Sequence, residues 1–305
     1  MSLTQDMSME AAAPVVEHEI TVRAWVKSHA WQIVLLVVLI GFLYRHAFVK
    51  LFGDWMEDPN YSHGFLVPVA SIWIIWLKRK ALGITRVEPR NWGLVVIGLA
   101  LMQFVAGTLG AENFVAYTSL LVLLAGVIAA LFGTPSLRQL LFPIGWLVFM
   151  IPLPAIVFYS ITFPLQLLAS RMASGLLDLL QIPNLREGNV MYFSNYTIGV
   201  AEACSGIRSL ITLMAFAVLL GYLRSMPIWA RIVLALSSVP VALVVNAIRV
   251  ASAGALGNYL GEKWAEGMFH TLSGMVLFLL ALLALAGISS VLAWGKHSAV
   301  REASI

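Results

Sequence analysis

The sequence predicts an all-α integral membrane protein, a bundle of about eight transmembrane helices, and three observations carry that prediction. Hydrophobic residues fill 60% of the 305 positions and charged residues only 11%, against about 45–50% and about 25% in soluble domains. The apolar runs are continuous, whereas strands of an outer-membrane barrel would alternate polar and apolar residues. Lysine and arginine gather in the short segments between the runs, where membrane topology accounts for them. The net charge of +4 therefore argues for no nucleic-acid partner.

Crossing a hydrocarbon core of about 30 Å takes about 20 apolar residues in a helix. Runs near Ala30–Phe48, Gly64–Leu77, Trp92–Leu109, Phe114–Phe132 and Leu137–Ile151 fit, followed by Gly206–Leu223, Ile232–Val250 and Phe269–Trp294. The second is short unless Tyr61–His63 and Lys78 lie in the interfaces. Residues 1–29 are polar and acidic, so they read as a cytoplasmic tail rather than a cleavable signal peptide. Residues 30–294 are expected to form one polytopic membrane domain and 295–305 a cytoplasmic C-terminal tail. No long linker or low-complexity segment interrupts them.

Orientation follows from the short loops. The segment after the second run carries Lys78, Arg79, Lys80, Arg86 and Arg90, and the one between the sixth and seventh carries Arg224 and Arg231. Both should be cytoplasmic, as should the tail with Lys296 and Arg301. The opposite segments lean acidic: Asp54, Glu57 and Asp58 in one, Glu262 and Glu266 against Lys263 in another. Parity then requires the chain between Ile151 and Gly206 to begin and end outside. Residues 155–180, with Pro164, Arg171 and Asp178, are expected to form an outer-face amphipathic helix or a re-entrant hairpin. The stretch Pro183–Val200, with Tyr192, Phe193, Tyr196, Thr197 and Ile198 interrupted by Ser194-Asn195, suggests a short β-hairpin before Cys204.

Cys204 is the only cysteine, which excludes an internal disulfide and a multi-cysteine metal site. This topology puts it just before a helix that starts outside, Arg249 at the outer end of an outgoing helix, and His270 at the outer start of the last one. Three separate segments thus meet at one depth on one face. A thiolate is favoured by a helix N-terminus and a nearby cation, here the helix opening after Ser205 and Gly206, and Arg208. His270 is the natural proton carrier. Arg249 keeps its charge and suits an oxyanion shielded from water. Gly206 lets a substrate backbone approach closely. Asn246, one turn before Arg249, orients it or binds a peptide carbonyl, and Glu202 reads either as an orienting group for His270 or Arg249 or as an exposed loop acid without a role.

Blander readings exist for each residue taken singly. A lone membrane cysteine packs as a small inert side chain, an arginine at a helix end snorkels to headgroups, and an interfacial histidine serves as a polar anchor. Arg208 either activates the thiol or binds lipid phosphate. A second cluster, Asp58-Pro59-Asn60-Tyr61-Ser62-His63-Gly64-Phe65-Leu66-Val67-Pro68, reads either as a well-capped helix start or as Tyr61 and His63 lining the same site.

Together, Cys204-Ser205-Gly206-Ile207-Arg208, Asn246-Ala247-Ile248-Arg249, His270 with Gly274, and the Tyr-Ser-His-Gly core at 61–64 resemble the exosortases, multi-spanning bacterial members of the exosortase/archaeosortase group. The resemblance covers roughly Trp55 to Leu280. It implies a protein-sorting cysteine transpeptidase in which Cys204 is the nucleophile and Arg249 and His270 complete the triad. Its partners would be proteins ending in a Pro-Glu-Pro-type (PEP-CTERM) motif, a transmembrane helix and a basic tail, with the new carboxyl end passed to an envelope acceptor. Membrane lipid and a separate soluble accessory protein are further partners it implies, and an exopolysaccharide-associated setting goes with it. The chemistry needs no metal or organic cofactor. The competing expectations are a membrane cysteine protease releasing its product to water, a transporter with Arg249 and His270 as substrate or proton sites, and a non-catalytic envelope-assembly protein. A transporter would favour charges near mid-membrane on broken helices.

Overall fold

Long apolar runs without strand-like alternation leave the backbone no solvent to bond to, so each run satisfies its own N–H and C=O groups as helix. The computed structural model describes residues 20–194, 196–199, 207–261 and 268–302, the last segment with side chains from 272 to 293. In order, the chain forms α1 (Val22–Ser28), α2 (Ala30–Leu43), α3 (Arg45–Glu57), a 3-10 helix (Pro59–Phe65), α4 (Leu66–Leu77), α5 (Arg79–Ile84), α6 (Trp92–Leu109), α7 (Asn113–Phe132) and α8 (Thr134–Trp146). A 3-10 turn (Leu147–Met150) and α9 (Ala155–Leu179) follow, then strands β1 (Leu185–Glu187), β2 (Val190–Tyr192) and β3 (Thr197–Gly199). The remaining helices are α10 (Ile207–Leu223), α11 (Ile228–Leu260) and α12 (Met268–Glu302). The chain is an α-helical integral membrane protein.

Among the described residues five helices are long and apolar enough to cross a membrane, with a sixth if α1 and α2, bent by 82°, count as one span. The eight runs expected from the sequence are all helical, but three are not single long helices. Across the first, the Tyr44 N–H donates to the Ile40 carbonyl at 2.9 Å and the Tyr44 carbonyl accepts from the Phe48 N–H at 2.8 Å, so α2 and α3 join with little interruption. Alone, α4 covers only about 18 Å at 1.5 Å per residue, so it crosses about 30 Å only with the preceding 3-10 helix. Likewise α8 needs the 3-10 turn after Pro143. Between α6 and α7 small residues bring backbones together: Gly93 faces Ala130, Gly107 faces Ala116, and neither place has room for a Cβ.

The basic segments converge on one end of the bundle. Pro143 has no N–H, which leaves the Gln139 carbonyl without its helical donor; the Lys78 ammonium fills that role at 2.9 Å. Lys78 and Arg231 both lie over the Tyr222 ring, at 5.1 and 5.7 Å, and Arg224 donates to Ser290 Oγ at 2.9 Å. Here α1 docks too, with Thr21 bridging to Arg86 and the Trp25 ring edge-on to Phe132.

α9 corrects one of the two expectations for 155–180. It is a single continuous helix, so the re-entrant hairpin does not form; Pro164 is accommodated inside it. Its length and composition would let it cross, yet both ends meet the end of the bundle away from Lys78. Phe158 lies 6.2 Å from the Tyr61 ring, while Ala173 and Leu177 pack on Val250 and Ala251. One face is buried, through Thr162, Gln166, Ala169, Ala173 and Leu177, and the other exposes Ile156, Tyr159 and Phe163. The helix is thus two-sided, with mostly small and polar groups buried and large apolar ones exposed.

The expected hairpin is a three-stranded antiparallel meander in the order β1-β2-β3. Leu185 pairs with Tyr192, and Met191 with Arg186 on one side and Ile198 on the other. Met191 is fully buried against α9 and α11. Tyr196 and Ile198 pack on Ala253, and Tyr196 occupies the space a side chain at Gly257 would need. The Tyr196 hydroxyl donates to the Gly254 carbonyl and accepts from the Asn258 N–H, and burial pushes its pKa up to about 12.

Candidate active site

Asp58 starts the site end. Its extended backbone ends α3, and its Oδ1 accepts the Asn60 N–H at 2.8 Å, capping the 3-10 helix that Pro59 opens. Tyr61 and His63 are then turned inward, 7% and 9% exposed. Tyr61 Oη accepts the Leu153 N–H at 3.2 Å. His63 Nε2 lies 3.1 Å from the Phe149 carbonyl, which only accepts, so the proton sits on Nε2. Both rings therefore hold the chain after α8.

The sequence reading passed over Trp55, which completes this arrangement. Its indole Nε1–H donates to the Met150 carbonyl at 2.8 Å, and its ring lies where Gly64 would carry a Cβ. The signal was present as a tryptophan and a glycine bracketing the Tyr-Ser-His core. Asp54 and Tyr117 were passed over as well. Tyr117 Oη donates to Asp54 Oδ2 at 3.2 Å, and burial holds the Asp54 carboxyl above the usual carboxylate range despite that bond. Lys50, Asp54, Asp58, Tyr61 and Glu112 line a cavity of about 410 Å³ at this end.

The cationic part of the site comes from α10, α11 and α12. Arg208 sits in the first turn of α10, which packs against the 3-10 helix. There it feels the positive charge of Arg249 on α11 and the negative charge of Asp58. Arg249 is half-buried, and its guanidinium lies on Gly274 of α12, where a Cβ would stand 3.1 Å from both Cζ and Nη2. Asn246, one turn earlier on α11, is 7% exposed. Position 270 precedes Gly274 by one turn, on the same face of α12. Among the described residues, two guanidiniums and one carboxylate meet here, a cationic setting of the kind that holds an anion near a low-dielectric boundary.

Cys204, Ser205, Gly206 and Glu202 lie outside the described residues, as does the side chain of His270. Of the predicted site, the structure brings together Arg208, Arg249 and the backbone position of His270, with Asn246 beside Arg249 and Tyr61 and His63 in the adjoining 3-10 helix.

Fold and site thus define a polytopic helical membrane protein with its polar centre at one end of the bundle. The chain belongs to the transmembrane exosortase family, whose family model matches residues 55–287. The match runs from Trp55 through the capped 3-10 helix, Cys204, Arg249, His270 and Gly274. A search of curated proteins and a search of solved structures return no match.

Proposed function

We propose that this exosortase is a protein-sorting cysteine transpeptidase of the bacterial inner membrane, with both termini cytoplasmic and its site at the periplasmic face. The observation that carries the reading is the Arg249 guanidinium resting on Gly274, one turn from His270, with Arg208 in its field. Cys204 is tethered close to this place. It precedes Ile207 by three residues, a reach of about 11 Å at most.

In the proposed cycle the Cys204 thiolate attacks the scissile carbonyl and Arg249 holds the oxyanion. His270 protonates the leaving amine as the C–N bond breaks, and a thioester remains. An acceptor amine then attacks the thioester, giving its proton to His270, and the thiolate leaves. The substrate is a protein with a C-terminal motif, transmembrane helix and basic tail. Membrane lipid and a separate soluble accessory protein would be further partners.

The test is co-expression with a reporter fused to such a signal. Cys204→Ala at wild-type protein level should leave the reporter uncleaved, and full cleavage in that variant ends the mechanism. Mass analysis of the new C-terminus separates the outcomes at the thioester: an added amine group marks transfer, a free carboxylate marks a protease.

A further inference from the structure

The two edges of the three-stranded sheet differ in a way that bears on how substrate arrives. A sheet edge invites another strand, and proteins usually blunt it with charge, proline or cover. β1 is such a blunted edge: it carries Arg186 and Glu187 and lies against α9. β3 is Thr197-Ile198-Gly199, without charge or proline. Among the described residues β2 is its one paired neighbour.

The register says which groups face outward. The Phe193 N–H donates to the Tyr196 carbonyl at 2.9 Å, so 193 and 196 are a hydrogen-bonded pair. Alternation along an antiparallel ladder makes Met191–Ile198 the next such pair, and Tyr192–Thr197 and Val190–Gly199 the pairs between. The main-chain N–H and C=O of Thr197 and Gly199 therefore point away from β2, toward the edge that no strand among the described residues pairs.

That edge lies toward the cationic site. β2 packs through Met191 on Val250, Ala251 and the α9 residues Ala173 and Leu177, whereas β3 packs through Ile198 on Ala253. Ala253 follows Arg249 by four residues, on the same face of α11. Going from β1 to β3 thus moves around α11 from the α9 side to the Arg249 side. In sequence Cys204 follows Gly199 by five residues.

We propose that an extended stretch of the substrate polypeptide pairs, as a fourth strand beside Arg249, with the edge of β3 that no described strand pairs. The inference rests on the thioester reading above. Main-chain pairing would supply sequence-tolerant affinity, and the alternate side chains would carry selectivity. The sheet then presents an extended peptide bond to the nucleophile, while the substrate's own helix stays in the membrane.

The test uses the full chain in membranes. In the Cys204→Ala, Thr197→Cys protein the sole thiol sits on the exposed face of β3. It is co-expressed with the signal-bearing reporter, into which single cysteines are placed one by one before the transmembrane helix. Strand pairing brings only the directly opposed Cα within disulfide range, so oxidation should give an adduct at one reporter position, several-fold above its two immediate neighbours, whose side chains point to the other face. Uniform adducts, a period near 3.6, or none with a reporter that wild type cleaves would overturn the proposal. Because the cross-link needs no catalysis, failure of the thioester reading shows separately, as cleavage by Cys204→Ala.

Discussion

At the scale of single residues the contact that matters most is Arg249 on Gly274. A Cβ there would stand 3.1 Å from the guanidinium carbon, tighter than ordinary contact, so Gly274→Val should push Arg249 out of line. Misplacing a catalytic group by about 1 Å can cost about 100-fold, and a loss of that order in reporter cleavage at unchanged protein level is expected. Cleavage at the wild-type rate would remove Arg249 from the oxyanion role. Asp54 sets a second expectation, for stability against pH. Burial raises its folded pKa above the ordinary value of 3.8, so the unfolded chain gives up this proton first. The stability tied to the protonated form is complete below pH 3.8 and is lost as pH rises through the folded value. Asp54→Asn keeps an acceptor for Tyr117 and cannot ionise. Its Tm advantage over wild type in detergent should grow from pH 4 to pH 7, and a gap independent of pH would contradict the assignment.

At the scale of elements, the end of α3, the 3-10 helix and the turn after α8 are held as one unit by Trp55, His63 and Tyr61. Gly64→Ala places a methyl group inside the Trp55 ring, and overpacking of this kind costs about 1–3 kcal/mol. The expected result is a lower Tm of the purified protein, relieved when Trp55→Ala is added; no shift in the single variant would show that the ring moves freely aside. The sequence made such elements legible in unequal measure. Trp92–Leu109 and Asn113–Phe132 were readable almost to the residue, because nothing but their own apolar length shapes them. The run 64–77 was harder, since its N-terminal part is a 3-10 helix whose inward rings serve neighbouring segments rather than a lipid-facing stripe. Residues 155–180 were legible as amphipathic from Pro164, Arg171 and Asp178, but only tertiary contacts decide between a hairpin and a straight helix. The third strand at 197–199 was hidden because three residues are too few to show alternation.

For the whole molecule the organising fact is charge separation along the bundle. Lys78, Arg224 and Arg231 gather at one end, while Asp54, Asp58 and Glu112 line a cavity at the other. Arg208 lies at that same end, within the field of Asp58 and of the positive charge of Arg249, and cations opposite the basic loops run against the positive-inside pattern, which is where function is sought. That positions 249 and 270 lie at one end of the bundle was readable from helix parity alone. The supporting cast was not, because a hydrogen bond such as Trp55 to the Met150 carbonyl joins residues 95 positions apart. The single cysteine turns this arrangement into a measurement. A membrane-impermeant thiol reagent applied to spheroplasts should label Cys204 from outside, and labelling should persist well below the free-thiol pKa of about 8.5. Arg208→Ala should slow labelling at low pH by removing a cation that favours the thiolate, and His270→Ala should do the same by removing its ion-pair partner. Labelling only after the membrane is opened would invert the topology and with it the periplasmic site. Outside labelling with ordinary thiol pH dependence, equal in all three proteins, would keep the topology and sink the activated nucleophile, leaving Arg208 and Arg249 as a site for some other anion.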